Sequence, residues 1–442
     1  MQIPSANSRH MTQTSLVAGL VRRLPFYYGW VVLGCVCCVA VARVGPAVGT
    51  LSVFVTPMTQ EFGWSRAALS GAVSLGGVLA ALTSPFVGSF LDRKGPRTIL
   101  LAAVLTTSAT ILMLSGVQSL LGFYLLFCIA RMNFAGPFDL GTHGAVVNWF
   151  VARRPLALSI ATLAQMVGLT LMPLIGYWAM AHGGWRMGWI AIGLTVLAVG
   201  FLPTWALMAR RPEDLGLLPD GAAAEPARGE TTGAANGAVE SEPSFTRSEA
   251  LATPAFWLLS LYTLLVYPVQ AGTSLHQPAH LMERGVSAAV AVSSVTTFSA
   301  TSAVVGLVFG LLLRRIGVKL GLAVSGLALC ASSILIARVT SSFDALTSAA
   351  LFGAAMGGIH TALPVAWADY FGRRSFGAIR GVALAIQVTA QASGPLISGV
   401  LRDMTGNYAT SLAIFATLGG LATLAALLVR APRRPVRGGG HA

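Results

Sequence analysis

Ionisable side chains stand inside stretches of the sequence that are otherwise apolar, and their chemistry is the first feature to explain. Arg43 and Arg131 lie well inside such stretches, and Asp139 and His143 follow Arg131. The spacing of four residues puts Asp139 and His143 on one face of a helix. His360 stands in a separate apolar stretch. A charge near the centre of a bilayer costs several kcal/mol unless it is paired or faces water, so these residues are candidates for a buried polar site.

The residue types indicate what such a site would bind. A guanidinium group presents a fork of donors that matches a carboxylate, so Arg43 and Arg131 predict an anion site. Asp139, His143 and His360 can take up and release protons, and we expect them to couple proton movement. Structural ion pairs and hydrogen-bonded packing are the alternatives. The predicted substrate-binding set joins the two arginines to polar side chains in apolar stretches: Asn133, Tyr262, Tyr267, Gln270, His360 and Gln387.

Patterns typical of enzymes or metal centres do not accompany these residues. The sequence contains no H-E-x-x-H, no G-x-S-x-G and no phosphate-binding loop. Cys35 and Cys38 form a C-x-x-C inside an apolar stretch, without further ligands nearby, so we expect packed thiols. We therefore predict a protein that is not an enzyme and that uses neither a cofactor nor a metal.

The composition identifies the surroundings of these residues as a membrane. Of the 442 residues, 55% are hydrophobic and 10% are charged, and the mean hydropathy is +0.73. Soluble proteins carry about 25% charged residues. A formal charge of +14 would suggest a nucleic-acid partner in a soluble protein, but here it first concerns topology. We expect an all-α membrane protein whose partners are the bilayer and small molecules, not nucleic acid.

Hydropathy windows of about 19 residues predict twelve transmembrane helices, numbered 1 to 12 in chain order. Their predicted bounds are 28–56, 66–91, 97–116, 119–149, 155–181, 185–208, 254–281, 287–313, 317–338, 343–370, 376–402 and 408–430. An acidic, Ala/Gly/Pro-rich segment separates six helices from six. The predicted organisation is an N-terminal segment 1–27, a bundle 28–208, a linker 209–253, a bundle 254–430 and a tail 431–442.

Basic residues are distributed unequally between the two sides of the predicted membrane. Of the 29 Lys and Arg residues, 22 fall on the side of the N-terminus and the linker, with Arg380 counted there as a loop residue. Because Lys and Arg resist translocation, both termini are predicted to be cytoplasmic, in a multi-pass protein of the cell inner membrane. No small-residue cleavage site follows the first apolar run, which predicts an uncleaved first helix.

An internal repeat is predicted to relate the two bundles. Residues 88–97, G-S-F-L-D-R-K-G-P-R, recur as G-L-L-L-R-R-I-G-V-K at 310–319, an offset of 222 residues. Gln165 recurs as Gln387 at the same offset. Parallel halves related by an axis along the membrane normal bind substrate near the bilayer midplane, where the halves meet. The repeat therefore predicts a site between the halves.

These motifs carry a resemblance to the major facilitator superfamily that covers essentially the whole chain. Residues 88–97 resemble its loop 2–3 signature, G-x-x-x-D-R-x-G-x-R, and R-M-N-F-A-G at 131–136 is similar to its helix 4 signature. The resemblance implies two pseudo-symmetric six-helix bundles, alternating access, function as a monomer and a cavity lined by helices 1, 4, 7 and 10. Each of these helices carries a proline that can turn backbone groups towards water: Pro46, Pro137, Pro268 and Pro364.

The same resemblance implies a cytoplasmic gate. A carboxylate at a helix end can meet cations or the positive N-terminus of another helix in one conformation and leave them in the other. In the first half the implied gate residues are Gly88, Asp92, Arg93, Gly95, Arg97, Arg153 and Arg154. In the second half, where Arg314 replaces the acid, the predicted charge group is Asp369, Arg373 and Arg374. Solvated charges that set topology are the alternative.

Within the superfamily, several motifs resemble the oxalate/formate antiporter and monocarboxylate transporter branch. They include F-Y-Y-G-W at 26–30, R-P-E-D-L-G-L-L-P-D at 211–220 and H-L-M-E-R-G-V-S at 280–287. The charges on helix 8 and the lysine on helix 11 of that branch are missing, so anion binding falls to Arg43 and Arg131. We expect a secondary transporter, a proton symporter of a small monocarboxylate-like organic anion. Proton-driven efflux of hydrophobic or drug-like compounds and a non-transporting membrane sensor are the alternatives.

Overall fold

The computed structural model describes residues 17–221, apart from residues 18 and 22, and residues 244–432. Within these ranges the regular structure is helical, without strands. The first 16 residues of the predicted N-terminal segment, residues 222–243 of the predicted linker and the tail from residue 433 onwards lie outside the described residues.

The first half contains two helices that are broken in the middle. Helix 1 consists of Gly29–Ala42 and Val48–Phe62, and helix 4 of Leu120–Ala135 and Pro137–Trp149; helix 2 is Arg66–Lys94 and helix 3 is Pro96–Leu114. Helices 5 and 6 form a run, Arg154–Val196, that continues through Leu197–Phe201 into Leu202–Leu207. Non-helical backbone at Gly183 and Gly184 divides this run. Gly184 has a φ of 70°, a conformation that glycine adopts without steric cost.

The second half consists of six continuous helices. Helix 7 is Pro254–Glu283, helix 8 is Ala288–Ile316, helix 9 is Val318–Ala337, helix 10 is Ser342–Phe371, helix 11 is Phe376–Thr405 and helix 12 is Ala409–Leu428. Short helical turns precede it at Pro212–Leu215, Pro219–Gly221 and Arg247–Leu251. Side-chain oxygens of Ser65, Ser119, Thr253, Ser287 and Ser341 cap the first turns of helices 2, 4, 7, 8 and 10.

The predicted twelve-helix architecture is confirmed. In the described part of the chain, ten helical runs are long and apolar enough to cross a membrane. Helix 1 escapes that count because it is split. Helices 5 and 6 count once, as a run of 54 residues, which at 1.5 Å per residue would measure about 81 Å against a hydrocarbon core of about 30 Å.

The four prolines in helices 1, 4, 7 and 10 have different effects. Pro46 lies in the break of helix 1, and Pro137 begins the second piece of helix 4 after Gly136 leaves helical geometry. Pro268 and Pro364 lie inside helices that continue through them. Breaks at these positions therefore occur in the first half and not in the second.

The two halves approach each other closely at one end, which we call the linker end because residues 209–221 lie there. Helix 2 meets helix 11 at Gly88 and Gly377, where a Cβ on either residue would collide with the carbonyl oxygen of the other. Helix 8 meets helix 5 in the same way, since a Cβ on Gly310 would collide with the Ser159 hydroxyl. Gly88 and Gly310 are equivalent in the repeat, so one small-residue contact is used twice. We call the opposite end the far end.

Candidate functional site

A polar cavity of about 260 Å³ lies between the halves. Helices 1, 4, 5, 7, 10 and 11 all contribute to its wall. The ionisable and amide side chains that line it are Arg43, Asp139, His143, Gln165, Gln270, His360, Arg380, Gln387 and Gln391, and Tyr267 lines it too. The structure thus brings most of the predicted substrate-binding and proton-coupling residues together.

Asp139 is the central charge of this cavity. Its Oδ1 lies 3.2 Å from Nη2 of Arg43 on helix 1, and its Oδ2 lies 3.3 Å from Nη2 of Arg380 on helix 11. Nδ1 of His143 is 3.5 Å from Oδ2 and 2.7 Å from the Asp139 carbonyl oxygen. The carboxylate therefore bridges a cation from each half.

The broken helices explain how Arg43 and Asp139 are placed. Arg43 directly follows the first piece of helix 1 as its C-cap, and Asp139 lies in the first turn of the second piece of helix 4. The C-terminus of a helix carries partial negative charge and the N-terminus partial positive charge. Each break therefore presents a helix end whose sign suits the side chain beside it, as discontinuous helices do at transporter sites.

Repeat-related glutamines hold the two arginines. Gln165 Oε1 accepts from Nη1 of Arg43 at 3.5 Å, and Gln387 Oε1 accepts from Nη2 of Arg380 at 2.8 Å. The equivalence of Gln165 and Gln387, visible as an offset in the sequence, is thus also an equivalence of role. Each half presents one guanidinium to the cavity, fixed by a glutamine from the same half.

The cavity wall has more donors than its own acceptors use. Within the described residues, Arg43 Nε and both Nε and Nη1 of Arg380 are buried without a hydrogen-bond partner. Buried donors without partners carry a desolvation cost that an incoming acceptor can offset. No group of three or more His, Cys, Asp or Glu that could hold a metal was found in the described part of the chain. The site is therefore suited to an anion.

Three predicted substrate-binding residues do not line the cavity. Arg131 reaches its wall only through Phe134: the Arg131 guanidinium lies 4.3 Å from that ring's centroid, and the Arg43 guanidinium lies 4.8 Å from it. Asn133 is buried in the first half, where its amide donates to the hydroxyls of Thr106 and Thr107.

Tyr262 is likewise a packing residue of the second half. Its side chain is fully buried, and its hydroxyl donates to the Leu322 carbonyl at 3.0 Å. The polar groups of Tyr262 and Asn133 thus make hydrogen bonds within one half. Both residues fit the alternative given from the sequence, hydrogen-bonded packing.

Sequence reasoning missed Arg380 as a site residue because its neighbours Arg373 and Arg374 made it look like part of a basic loop. It lies one turn inside helix 11, and its side chain is 3% exposed. The predicted helix 11, 376–402, already contained this position. The sequence therefore did contain the information: Arg380 is the fifth residue of an apolar span, and the cost of burying a charge applies to it as it does to Arg43.

Asp92 joins the two halves at the linker end. Its carboxylate oxygens accept from the backbone N–H groups of Gly377 at 2.8 Å and Ala378 at 2.7 Å, in the first turn of helix 11. A carboxylate of the first half thus caps a helix of the second half, an arrangement in which hydrogen bonds and helix dipole act together.

A second contact between the halves joins Arg154 and Asp369. Nη1 of Arg154 lies 2.6 Å from Oδ1 of Asp369, and the arginine side chain is 1% exposed. Arg373 of the second half also donates to the Asn148 carbonyl at 3.3 Å and pairs with Glu213 at 2.6 Å. Arg154 and Asp369, predicted as gate residues of different halves, therefore bond to each other.

The other predicted gate residues are exposed or make bonds within the first half and the segment that follows helix 6. Arg93 and Arg374 are exposed, and Arg97 donates to the Trp205 carbonyl of its own half at 2.8 Å. Gly95 ends helix 2 with a φ of 84°, a left-handed value that favours glycine. The backbone N–H of Arg153 donates to Asp220.

The chain matches known membrane proteins. The sequence model of the Major Facilitator Superfamily matches residues 32–343. The chain is 28% identical over 160 residues to the uncharacterized MFS-type transporter YcxA of Bacillus subtilis, covering 36% of this chain and 39% of YcxA. It is 33% identical over 148 residues to the membrane sensor protein UhpC of Salmonella typhimurium, covering 33% of each chain. The chain thus spans only about a third of the length of these curated relatives.

The fold agrees with this match. A crystal structure of a double-tryptophan mutant of XylE superposes with a TM-score of 0.70, over 90% of this chain and 96% of XylE, at 14% identity. Together the matches are to membrane transport proteins and not to enzymes. With its twelve helices and repeated halves, this multi-pass membrane protein belongs to the Major Facilitator Superfamily.

Proposed function

We propose that this chain is a secondary active transporter that moves a small organic anion, monocarboxylate-like, across the cell inner membrane together with a proton. The proposal places it in or near the oxalate/formate antiporter and monocarboxylate transporter branch. The observation that carries it is the charge of the cavity wall, where the guanidinium groups of Arg43 and Arg380 face one carboxylate, Asp139.

Cavity size favours a small cargo over the drug-like compounds of the efflux alternative. Pockets for drug-sized ligands measure about 300–1,000 Å³, whereas this cavity has about 260 Å³. A carboxylate at Arg43 and Arg380 would accept from the donors that lack partners. The amides of Gln270 and Gln391, which are 3.2 Å apart, would contact the rest of the cargo.

Proton coupling follows from the bridge at Asp139. Protonation of its carboxyl group removes the negative charge that holds Arg43 and Arg380 together, and the anionic cargo replaces that charge. Proton and anion then enter together without net charge. His143, beside Asp139, and His360, on the cavity wall, would pass the proton.

Alternating access would use the contacts at the linker end as its gate. With the basic residues on that side, we infer that the linker end and both termini are cytoplasmic. The structure then corresponds to a state closed to the cytoplasm, latched by Asp92 on helix 11 and by Arg154 on Asp369. Gly88 and Arg373 would support the latch, and the bundles 28–208 and 254–430 would be the moving bodies.

The test begins with a thermal-shift panel of small carboxylates, amino acids and lipophilic cations on the purified protein, and hits proceed to uptake in proteoliposomes. We expect carboxylates to stabilise the protein and an inward proton gradient to drive their accumulation. Stabilisation by lipophilic cations alone would favour efflux. A response to ligands without any counterflow would favour a sensor, an alternative supported by the similarity to UhpC.

Substitutions sharpen the test. Arg380→Gln and Arg43→Gln should each lower carboxylate affinity by about 30-fold or more, because each removes a charged donor. Arg131→Gln is the matched control: it removes the same charge from outside the cavity wall and should cost less than about tenfold. A loss with Arg131→Gln as large as that with Arg380→Gln would contradict the assignment of the site.

A further inference from the structure

A second cavity lies away from the cargo site, at the linker end of the first half. It measures about 490 Å³ and is lined by the end of helix 2, the start of helix 3 and the chain that follows helix 6. Four of its lining residues are cations, Arg93, Lys94, Arg97 and Arg210, against one carboxylate, Asp214. We call it the basic pocket.

Two of these cations are fixed in place by the fold. Arg210 runs across Gly95, where a Cβ would lie 2.5 Å from its side chain, and its Nη2 donates to the Arg93 carbonyl at 2.9 Å. Arg97 Nη2 donates to the Trp205 carbonyl at 2.8 Å. Side chains held in this way lose less freedom when a ligand binds. Arg93 and Arg97, implied as gate residues by their motif, therefore face this pocket.

The pocket adjoins an apolar surface. Trp205, whose carbonyl holds Arg97, is 54% exposed, and Leu202 one turn earlier on the same face of helix 6 is 59% exposed. Phe201 stacks on Trp205. The inner wall of the pocket includes the buried side chains of Val17 and Met208. A ligand held here would have an anionic part among the cations and an apolar part along helix 6.

We propose that the basic pocket binds the headgroup of an anionic phospholipid, with an acyl chain lying on helix 6 beside Trp205. Arginine and lysine are the residues that bind phosphate oxygens, and basic pockets at the ends of transmembrane helices bind acidic headgroups. A soluble phosphate compound shares the headgroup chemistry but would not use the exposed face of Trp205 and Leu202. The proposal does not depend on the cargo.

The experiment measures phosphatidylglycerol binding to the delipidated full-length protein by native mass spectrometry. We expect saturable binding that exceeds phosphatidylcholine binding and weakens as salt is added. The double variant Lys94→Gln with Arg210→Gln should lower the affinity about 30-fold. This value takes the attraction that each basic residue near the membrane surface has for acidic lipids and adds it for two residues. The matched control is Arg315→Gln with Lys319→Gln, which removes two cations from the equivalent loop of the other half and should change affinity less than about threefold.

Further arms separate the outcomes. Arg93→Gln with Lys94→Gln removes two exposed side chains and repeats the test if Arg210 proves necessary for folding. Equal losses in the pocket and control variants, or equal binding of the two lipids, would overturn the proposal. Inorganic phosphate and soluble glycerophosphoglycerol should displace the lipid poorly; displacement at concentrations comparable to the lipid would show a soluble-anion site and overturn the lipid assignment.

Discussion

The two ends of the molecule use charged side chains in opposite ways. At the linker end, Asp92 and Arg154 of the first half bond to helix 11 and to Asp369 of the second half. At the far end, the ion pairs between side chains that the structure describes lie within one half: Glu61 pairs with Arg186 in the first, and Glu283 pairs with Arg402 in the second. Glu61 and Glu283 are equivalent in the repeat, being 222 residues apart.

This difference indicates which contacts would contribute to the free-energy difference between conformations of the two halves. Contacts between the halves must break when the halves move, whereas contacts within a half travel with it. We therefore expect the linker-end contacts to affect the balance between conformations, and the far-end pairs to stabilise each bundle without affecting that balance. Spin labels at Ala152 and Leu320, exposed linker-end positions of opposite halves, in a background without native cysteines would report the distance between the halves.

The largest effect is expected from Gly88→Ala. The new Cβ would collide with the Gly377 carbonyl, which helix 11 cannot move without shifting its backbone, and overpacking of this kind costs about 1–3 kcal/mol. The label distance should lengthen as the closed state is lost. The control is Gly399→Ala on helix 11, where a Cβ would meet open space, and its distance distribution should match that of the unsubstituted protein.

Asp92→Asn should shift the same equilibrium less. The amide keeps an acceptor for one N–H of helix 11 but loses the charge that faces the helix N-terminus, a change of about 1–2 kcal/mol. The closed population should fall by about five- to thirtyfold relative to the open one. Asp403→Asn, at an acid that is 79% exposed at the far end, is the matched control. An unchanged distance in Asp92→Asn would refute the role of the cap.

Asp369→Asn should have a smaller effect again, of about 1 kcal/mol. Its partner Arg154 is buried and also donates to the Phe150 carbonyl at 3.1 Å, so the guanidinium keeps a partner when the acid is lost. The side chain of Asp369 is itself 40% exposed, which weakens the pair. Glu213→Gln, which breaks the more exposed pair with Arg373, should change the label distance less than Asp369→Asn does.

The fold was largely predictable from the sequence because it follows from features that extend over many residues. Twelve apolar stretches, an interrupting acidic segment and a repeat at a fixed offset depend on many residues at once. The repeat also holds in local geometry: Gly95 and its equivalent Gly317 each follow the end of a helix with a positive φ, at 84° and 78°. Local sequence also predicted the acid at the linker end, with cations or a helix N-terminus as its partners, and the structure shows the N-terminus of helix 11 in that place.

The cargo site was predictable only in part, because its residues come from helices whose rotation the sequence does not specify. Arg43, Asp139 and His360 were identified by the cost of burying them. Arg131 has the same cost but faces Phe134, and Arg380 was hidden by the basic residues before helix 11. Which side of a helix faces the cavity depends on packing between helices, as the burial of Tyr262 against Leu322 shows.

The smallest effect is expected at the far end, from Glu61→Gln and Glu283→Gln. Glu61 makes two bonds to Arg186 and accepts from Trp185 Nε1 at 2.6 Å, whereas Glu283 uses a single oxygen for Arg402. Both pairs are exposed, and such pairs contribute about 0–1 kcal/mol.

The unfolding temperature should therefore decrease slightly for Glu61→Gln and less for Glu283→Gln. The distance between the labels should be unchanged in both, because neither pair joins the halves. A change as large as that in Asp92→Asn would mean that a pair within one half sets the conformation, and the division between the two ends would fail. With the distance constant and stability reduced, the far end contributes to the folding of each bundle and not to the position of one bundle against the other.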